Sequence, residues 1–177
     1  LGGRYTSDRK GIDQTRAAVR SDEQTYHNVS YNASVAYELR PDMLLFGRVG
    51  SGYRSGGFNA RAGAGVGFVF LPEKVTSYEI GLKSDWLDHD LRTNLAVFHT
   101  DYRNLQVTQY TGSSDGGSGF TRNADATLKG FELEVNATPL RGLRLDGSLG
   151  YVKARYKTIF FPDPVTKVLT NFAAISH

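Results

Sequence analysis

The sequence predicts an all-β fold, an antiparallel up-and-down meander of about seven long strands that forms part of a larger transmembrane β-barrel. Three observations predict it. Period-2 alternation of apolar and polar residues dominates the 177-residue sequence, and helical period is nearly absent. Tight turns and long loops alternate along the chain, the rhythm of a meander with all its tight turns at one end. The face opposite the apolar one carries too many charges for a packed core, where each unpaired charge would be heavily penalised.

The elements follow in chain order. A first strand with noisy faces spans 2–9. In 26–39, Val29, Tyr31, Ala33, Val35 and Tyr37 alternate against Asn28, Ser30, Asn32, Ser34, Ala36 and Glu38. A second noisy strand covers 43–54. In 76–86, Tyr78, Ile80, Leu82 and Trp86 share one face, with Glu79, Gly81, Lys83 and Asp85 on the other. In 91–108, Leu91, Leu95 and Val97 compete with Ala96, Phe98 and Tyr102 for the apolar side, and the inward face stays open. Phe131, Leu133, Val135 and Ala137 alternate against Glu132, Glu134 and Asn136 in 130–138. Leu143, Leu145, Leu149 and Tyr151 alternate against Arg144, Asp146, Ser148 and Gly150 in 143–151.

The connections "RPDM" (40–43), "LDHD" (87–90) and "PLRGL" (139–143) are tight turns made of Pro, Asp and Gly. Between them lie long loops at roughly 10–25, 55–73, 110–120 and 157–177. Within the first, "KGIDQTRAAVRSDEQ" reads as a partly ordered excursion whose Ala-Ala-Val patch is too short for a helix. The stretch "GSSDGGSG" (112–119) is of low complexity and marks a loop tip.

Alternation alone would also suit a soluble sandwich, so strand length and banding decide. Arms of roughly 12–18 residues exceed the usual 5–6 of globular strands. The apolar face is banded: Leu143, Leu145 and Leu149 give way to Tyr151, then to Lys153 and Arg155, while Trp86 closes the Ile80–Leu82 face before a turn. Aromatic residues at the edges of an apolar band are what a bilayer interface selects. Strands in lipid must be paired on both edges, and seven are fewer than the roughly eight of the smallest closed barrel. Residues 1–177 are therefore expected to be an incomplete segment of a larger barrel wall.

Bulk composition agrees. No run reaches the ~18 apolar residues of a spanning helix; the longest, such as "MLLF" and "FVFL", are short. The net charge of +3 comes from 21 basic and 18 acidic residues that are interspersed, without the basic stripe of a nucleic-acid surface. Cysteine is absent, so the chain offers no disulfides or thiolate metal sites.

Several blocks together resemble a known family. "GYRSGGFNA" (52–60), "LPEKVTSYEIGLKSDWLDHDLRTNLAVFHTDYRNLQVTQ" (71–109) and "NADATLKGFELEVNATPLRGLRLDGSLGYVKARY" (123–156) are similar, in that order, to the mid-to-late barrel of TonB-dependent outer-membrane receptors. The resemblance covers about 26–156. It implies a barrel of about 22 strands with an N-terminal plug, in the outer membrane of a Gram-negative bacterium. It also implies uptake of a scarce, bulky nutrient, chiefly a ferric siderophore, energised by the TonB–ExbB–ExbD complex acting through the plug. The expected partners are thus outer-membrane lipid, that complex and the siderophore. These residues include no plug, TonB box or signal peptide. Alternatives are a passive porin-like or sugar channel segment, or a soluble β-rich binding module.

No catalytic constellation, cofactor site or metal site is expected. His27, His89, His99 and His177 do not cluster, and zinc or iron sites need three or four convergent ligands. Glu132 and Glu134 read as a hydrated luminal wall, with Arg144 and Asp146 of the adjoining strand as partners, rather than as a glycosidase pair. The "GYRSGG" glycines precede no helix, so the phosphate-binding reading lacks its helix N-terminus. They are expected instead to let the chain reverse at the rim. Arg54, Phe58 and Asn59 beside that loop, and Tyr110, Phe120 and Arg122 beside the 112–119 tip, are the candidate ligand contacts. Arginine can pair with an anionic ligand and an aromatic ring can stack on one.

Overall fold

The computed structural model describes residues 1–15, 20–60, 67–110, 119–162, 169–171 and 173. The Ala-Ala-Val patch, the tip 112–118 and most of the segment beyond 162 lie outside these. The described chain is almost wholly strand: β1 (Gly2–Gln14), β2 (Arg20–Arg40), β3 (Met43–Arg54), β4 (Gly57–Phe58), β5 (Val69–Phe70), β6 (Glu73–Trp86), β7 (Leu91–Tyr110), β8 (Gly119–Leu140), β9 (Leu143–Pro162) and β10 (Leu169–Asn171). One antiparallel sheet runs β1-β2-β3-β6-β7-β8-β9-β10, and β4 pairs with β5 separately. All seven expected long strands are present, in sequence order.

Register fixes the faces. Leu45, Leu82, Leu95, Leu133 and Leu149 lie in one row across five strands, and Ile80, Val97, Phe131 and Tyr151 form the next row. The open face of β7 is thereby settled: Leu91, Leu95 and Val97 join the apolar side, and Ala96 and Phe98 take the other. These apolar residues remain open to the surroundings, with Ile80 56% and Leu149 59% exposed. The buried hydrophobic residues among those described are only Phe120, Ala124, Ala126 and Ile159. A water-soluble chain of this size would bury most of its apolar surface under a second layer, and the described residues form none over this face.

The band has definite edges. It begins at the Trp86–Leu91–Ala137–Leu145 row and ends where Tyr78 aligns with His99, Lys129 and Lys153. Eight residue steps at ~3.4 Å, tilted as in outer-membrane barrels, give roughly 20–25 Å of height, close to the lipid-facing band of such barrels. Beyond the upper edge the strands continue, 22 residues in β8 and 20 in β9, so the wall stands well above the band.

Three tight turns share the lower end, as predicted. The turn after β6 places Leu87, Asp88 and His89 at positive φ (54°, 52° and 70°), and Asp85 secures it by accepting two hydrogen bonds from Arg92 at 2.7 and 3.0 Å. Gly142 supplies the left-handed residue (φ 83°) of the β8–β9 turn. Neighbouring turns also bond to one another: the Asp85 N–H donates to the Asp42 carbonyl and the Thr138 N–H to the Asp90 carbonyl.

The expected loop at 10–25 is largely strand. β1 and β2 stay paired out to Gln14 opposite Arg20, with Arg9 and Glu23 joined by a two-pronged ion pair. β7 likewise extends to Tyr110, and β9 to Pro162, beyond the expected strand ends. Above the band neither face needs apolar residues, so these extensions carry no hydrophobic period.

Candidate functional site: the folded-back rim loop

The polar face carries charge in local pairs. Arg48 donates to Glu79 at 2.8 Å, Asn94 to Glu134 at 3.2 Å, and the Lys83 ammonium stands 5.7 Å from the Phe46 ring centre. The register sets Gly150 and Ser148 opposite Glu132 and Glu134. Arg144 and Asp146 bond to each other instead, which corrects the pairing expected for the two glutamates. Phe46 sits directly opposite Gly81, and Phe98 opposite Gly130, so two aromatic rings lie against bare backbone.

At the upper end, the described residues 55–60 and 67–72 between β3 and β6 lie against β7 and β8. Asn59, 7% exposed, holds them. Its side-chain carbonyl accepts from the Thr121 N–H at 2.8 Å, and its Nδ2 donates to the Thr121 and Gly67 carbonyls, each at 2.8 Å. The side chain thus pairs with β8 as a backbone group would. Asn123 accepts from the Leu71 N–H at 2.7 Å and donates to the Asn104 carbonyl at 2.8 Å. Gln106 donates to the Ser55 and Leu71 carbonyls at 2.9 and 3.2 Å. Three amide side chains satisfy backbone groups that the irregular segment would otherwise leave unpaired.

Gln106 and Asn123 were not among the residues singled out from sequence. Their alignment depends on a bulge in β7, where Arg103 and Asn104 face a single β8 residue. Asn104 takes φ 53° there, a conformation asparagine tolerates, and its N–H donates to Asp125 at 2.9 Å. An Asn two residues before a Gln in a strand is the faint local signal of this arrangement.

The glycines of 52–57 do something other than expected. None takes a positive φ. A Cβ on Gly56 would press the Phe70 carbonyl and the Tyr26 ring, one on Gly57 the Phe70 ring, and one on Gly52 the Val75 side chain at 2.7 Å. They permit close approach.

Of the candidate contacts, Phe58, Asn59, Phe120 and Arg122 come together through the Asn59–Thr121 bonds. Phe58 packs on Phe68 with ring centres 5.4 Å apart, and β5 packs against β8. The Arg122 guanidinium lies 5.2 Å from the buried Phe120 ring centre, and partial burial pulls its pKa down from the ordinary arginine value. Arginine remains a cation at neutral pH nonetheless. Arg54 is exposed at the end of β3, opposite Glu73, and Tyr110, 78% exposed, projects from the top of β7; neither belongs to this cluster. Among the described residues no group of three His, Cys, Asp or Glu side chains could hold a metal ion.

Comparison with known proteins agrees with this architecture. The family model described as "TonB dependent receptor-like, beta-barrel" matches residues 1–173. The metal-pseudopaline receptor CntO of Pseudomonas aeruginosa is 28% identical over 160 residues, covering 87% of this chain and 21% of the receptor. The chain therefore spans about a fifth of the length of that relative. Among solved structures, the ferric yersiniabactin uptake receptor FyuA from Yersinia pestis aligns with a TM-score of 0.65 at 22% identity, over 88% of this chain and 24% of that one. The copper transporter OprC aligns at 0.69 with 18% identity, over 88% and 26%. A model match along nearly the whole chain, joined to a banded antiparallel wall with its tight turns at one end, shows that the chain belongs to the TonB-dependent receptor family and carries part of its β-barrel.

Proposed function

We propose that this chain is wall and extracellular rim of an outer-membrane receptor that takes up a metal bound to an organic chelator, most plainly a ferric siderophore. In the whole protein a plug domain fills the lumen, and the TonB–ExbB–ExbD complex supplies the energy through it. The observation that carries this reading is the match along 87% of the chain to a receptor for metal-pseudopaline. Two features of the rim support it. The Arg122 guanidinium, packed over the buried Phe120 ring, lies on a strand held to the rim segment by the buried Asn59 amide, and a cation there suits an anionic chelate. Arg54 and Tyr110, exposed nearby on the same rim, are the outer contacts.

Uptake of radiolabelled iron as a chelate by cells expressing the whole parent protein tests this, in strains with and without TonB. Uptake is expected to vanish without TonB and to fall roughly tenfold or more in Asn59→Ala, which leaves the Thr121 N–H buried without its acceptor. Uptake that persists without TonB would indicate a passive channel and overturn the proposal.

A further inference from the structure

The sheet splits just above the apolar band. β2 and β3 stay paired only as far as Asn32 opposite Gly50. Beyond that point β2 continues on β1 alone, and β3 continues on β6 alone. The Ser51 hydroxyl is the last rung, accepting from the Tyr31 N–H at 2.8 Å and donating to the Tyr31 carbonyl at 3.4 Å. In an antiparallel strand every second residue directs its backbone groups to the same side, so Val29 and His27 direct theirs into the split as Tyr31 does. Among the described residues no backbone hydrogen bond joins them to β3.

A cavity of about 610 Å³ lies at this split, lined by Arg4, Thr6 and Asp8 of one arm and by Gly50, Gly52 and Tyr53 of the other. Its lining runs from Gly2 to Asp8 along β1 and from Gly50 to Ser55 along β3, roughly 17–20 Å at the rise of a strand. The cavity is therefore long in the strand direction. Its floor at Gly50 is bare backbone, where an added Cβ would meet nothing closer than 4.0 Å. Glycine inside a strand marks sites where another backbone comes close.

The polar groups of this cavity lack partners within the chain. Among the described residues no ion pair engages Arg4 or Asp8. The Tyr53 hydroxyl is buried close to Asp8 and Tyr26 without meeting hydrogen-bond geometry to either, and the Tyr26 hydroxyl is also buried without a partner. Buried polar groups left in this state call for a partner from outside. Arg4 and Asp8 stand four residues apart on one face of β1, about 14 Å, which is also the span of four extended peptide residues.

We propose that this cavity binds a short free peptide of about four residues in extended conformation, its ammonium at Asp8, its carboxylate at Arg4 and its backbone bonded along the open edges of β2 and β3. Shape and charge both select this ligand. Strand edges with unpaired N–H and C=O groups pair with an added strand. The Tyr26 and Tyr53 hydroxyls, beside Asp8, donate to the first carbonyls of the peptide. A compact anionic chelate fits poorly, because Asp8 repels it and the backbone edges stay unpaired. This peptide site is separate from chelate uptake, since none of its residues belongs to the Asn59–Arg122 cluster.

Isothermal titration calorimetry on the whole parent receptor in neutral detergent tests the site. The probe is the tetrapeptide Ala-Val-Thr-Ala with free termini, compared with its N-acetylated form and with a form methylated on its two central amide nitrogens. The parent is expected to bind the free peptide and to bind each modified form roughly tenfold more weakly. Asp8→Asn is expected to weaken the free peptide by about tenfold and to leave the acetylated one unchanged, because only the ammonium meets that carboxylate. Gly50→Val fits the strand but fills the floor, and is expected to abolish binding of all three. Should Gly50→Val fail to give the heat-modifiable folded band on gels, the Asp8→Asn comparison carries the test alone. No binding of the free peptide by the folded parent, equal binding of the methylated form, or equal losses of free and acetylated peptide in Asp8→Asn would each overturn the inference.

Discussion

Replacing Leu95 with Arg is expected to destabilise the assembled barrel by about 2–4 kcal/mol in a lipid bilayer, the cost of a cation on the lipid face near the membrane midplane. Leu95 lies in the middle of the five-strand leucine row and is 42% exposed in this segment. The adjacent Asn94 points to the opposite face, where it donates to Glu134 at 3.2 Å. Asn94→Arg keeps a donor beside that carboxylate and is expected to shift stability by no more than ~0.5 kcal/mol. Denaturant unfolding of the parent protein in vesicles reads both values. A soluble fold would give no such contrast, because both residues would then face water or a protein layer.

Gly130→Val is expected to cost about 3 kcal/mol or more and to leave little folded protein in the outer membrane. A Cβ at Gly130 would collide with the Tyr151 carbonyl oxygen of the next strand and stand 2.8 Å from Cζ of Phe98. The ring can move, but the backbone carbonyl cannot shift without breaking the β8–β9 register, which puts the change at the upper end of overpacking costs. Gly150→Val is the matched control: nothing lies within 4 Å of its Cβ position. A β-branched residue suits an open strand site, so that variant is expected to be neutral or slightly stabilising. The yield of heat-modifiable barrel in membrane fractions measures the pair.

The sequence disclosed those parts of the fold where one face meets oil and the other water. β2, β6, β8 and β9 alternate cleanly through the band for that reason, and Trp86, Tyr78 and Tyr151 mark its edges. β7 was ambiguous because Phe98 sits on the polar face. Its ring lies over Gly130, and a single strand's pattern does not disclose a glycine on its neighbour. Above the band the signal fades. The 10–25 segment read as a loop because paired strands wet on both faces need no apolar alternation and carry polar and charged residues on either side, as Arg9 and Glu23 show. The rim cluster was half legible. Phe58, Asn59, Phe120 and Arg122 stood out by residue type, but Gln106 and Asn123 did not, since their role depends on a register set by the bulge at Asn104. The glycines of 52–57 were visible as necessary, yet their use in close packing rather than chain reversal needed the neighbouring Tyr26, Phe70 and Val75.

The central claim is that the leucine-row face meets lipid, that the opposite face meets a wet lumen, and that both give way to water above the Tyr78 row. The segment has no cysteine, so single-cysteine spin labels along β7 from 93 to 101 can be placed in it one at a time. Their collision rates with oxygen and with a water-soluble nickel chelate, in the parent protein in bilayers, test the claim directly. The account predicts high oxygen access at 93, 95 and 97, high nickel access at 94 and 96, and a change to high nickel access at 101 on the outward face. Equal nickel access at 95 and 94, or an oxygen signal that continues undiminished through 101, would contradict it.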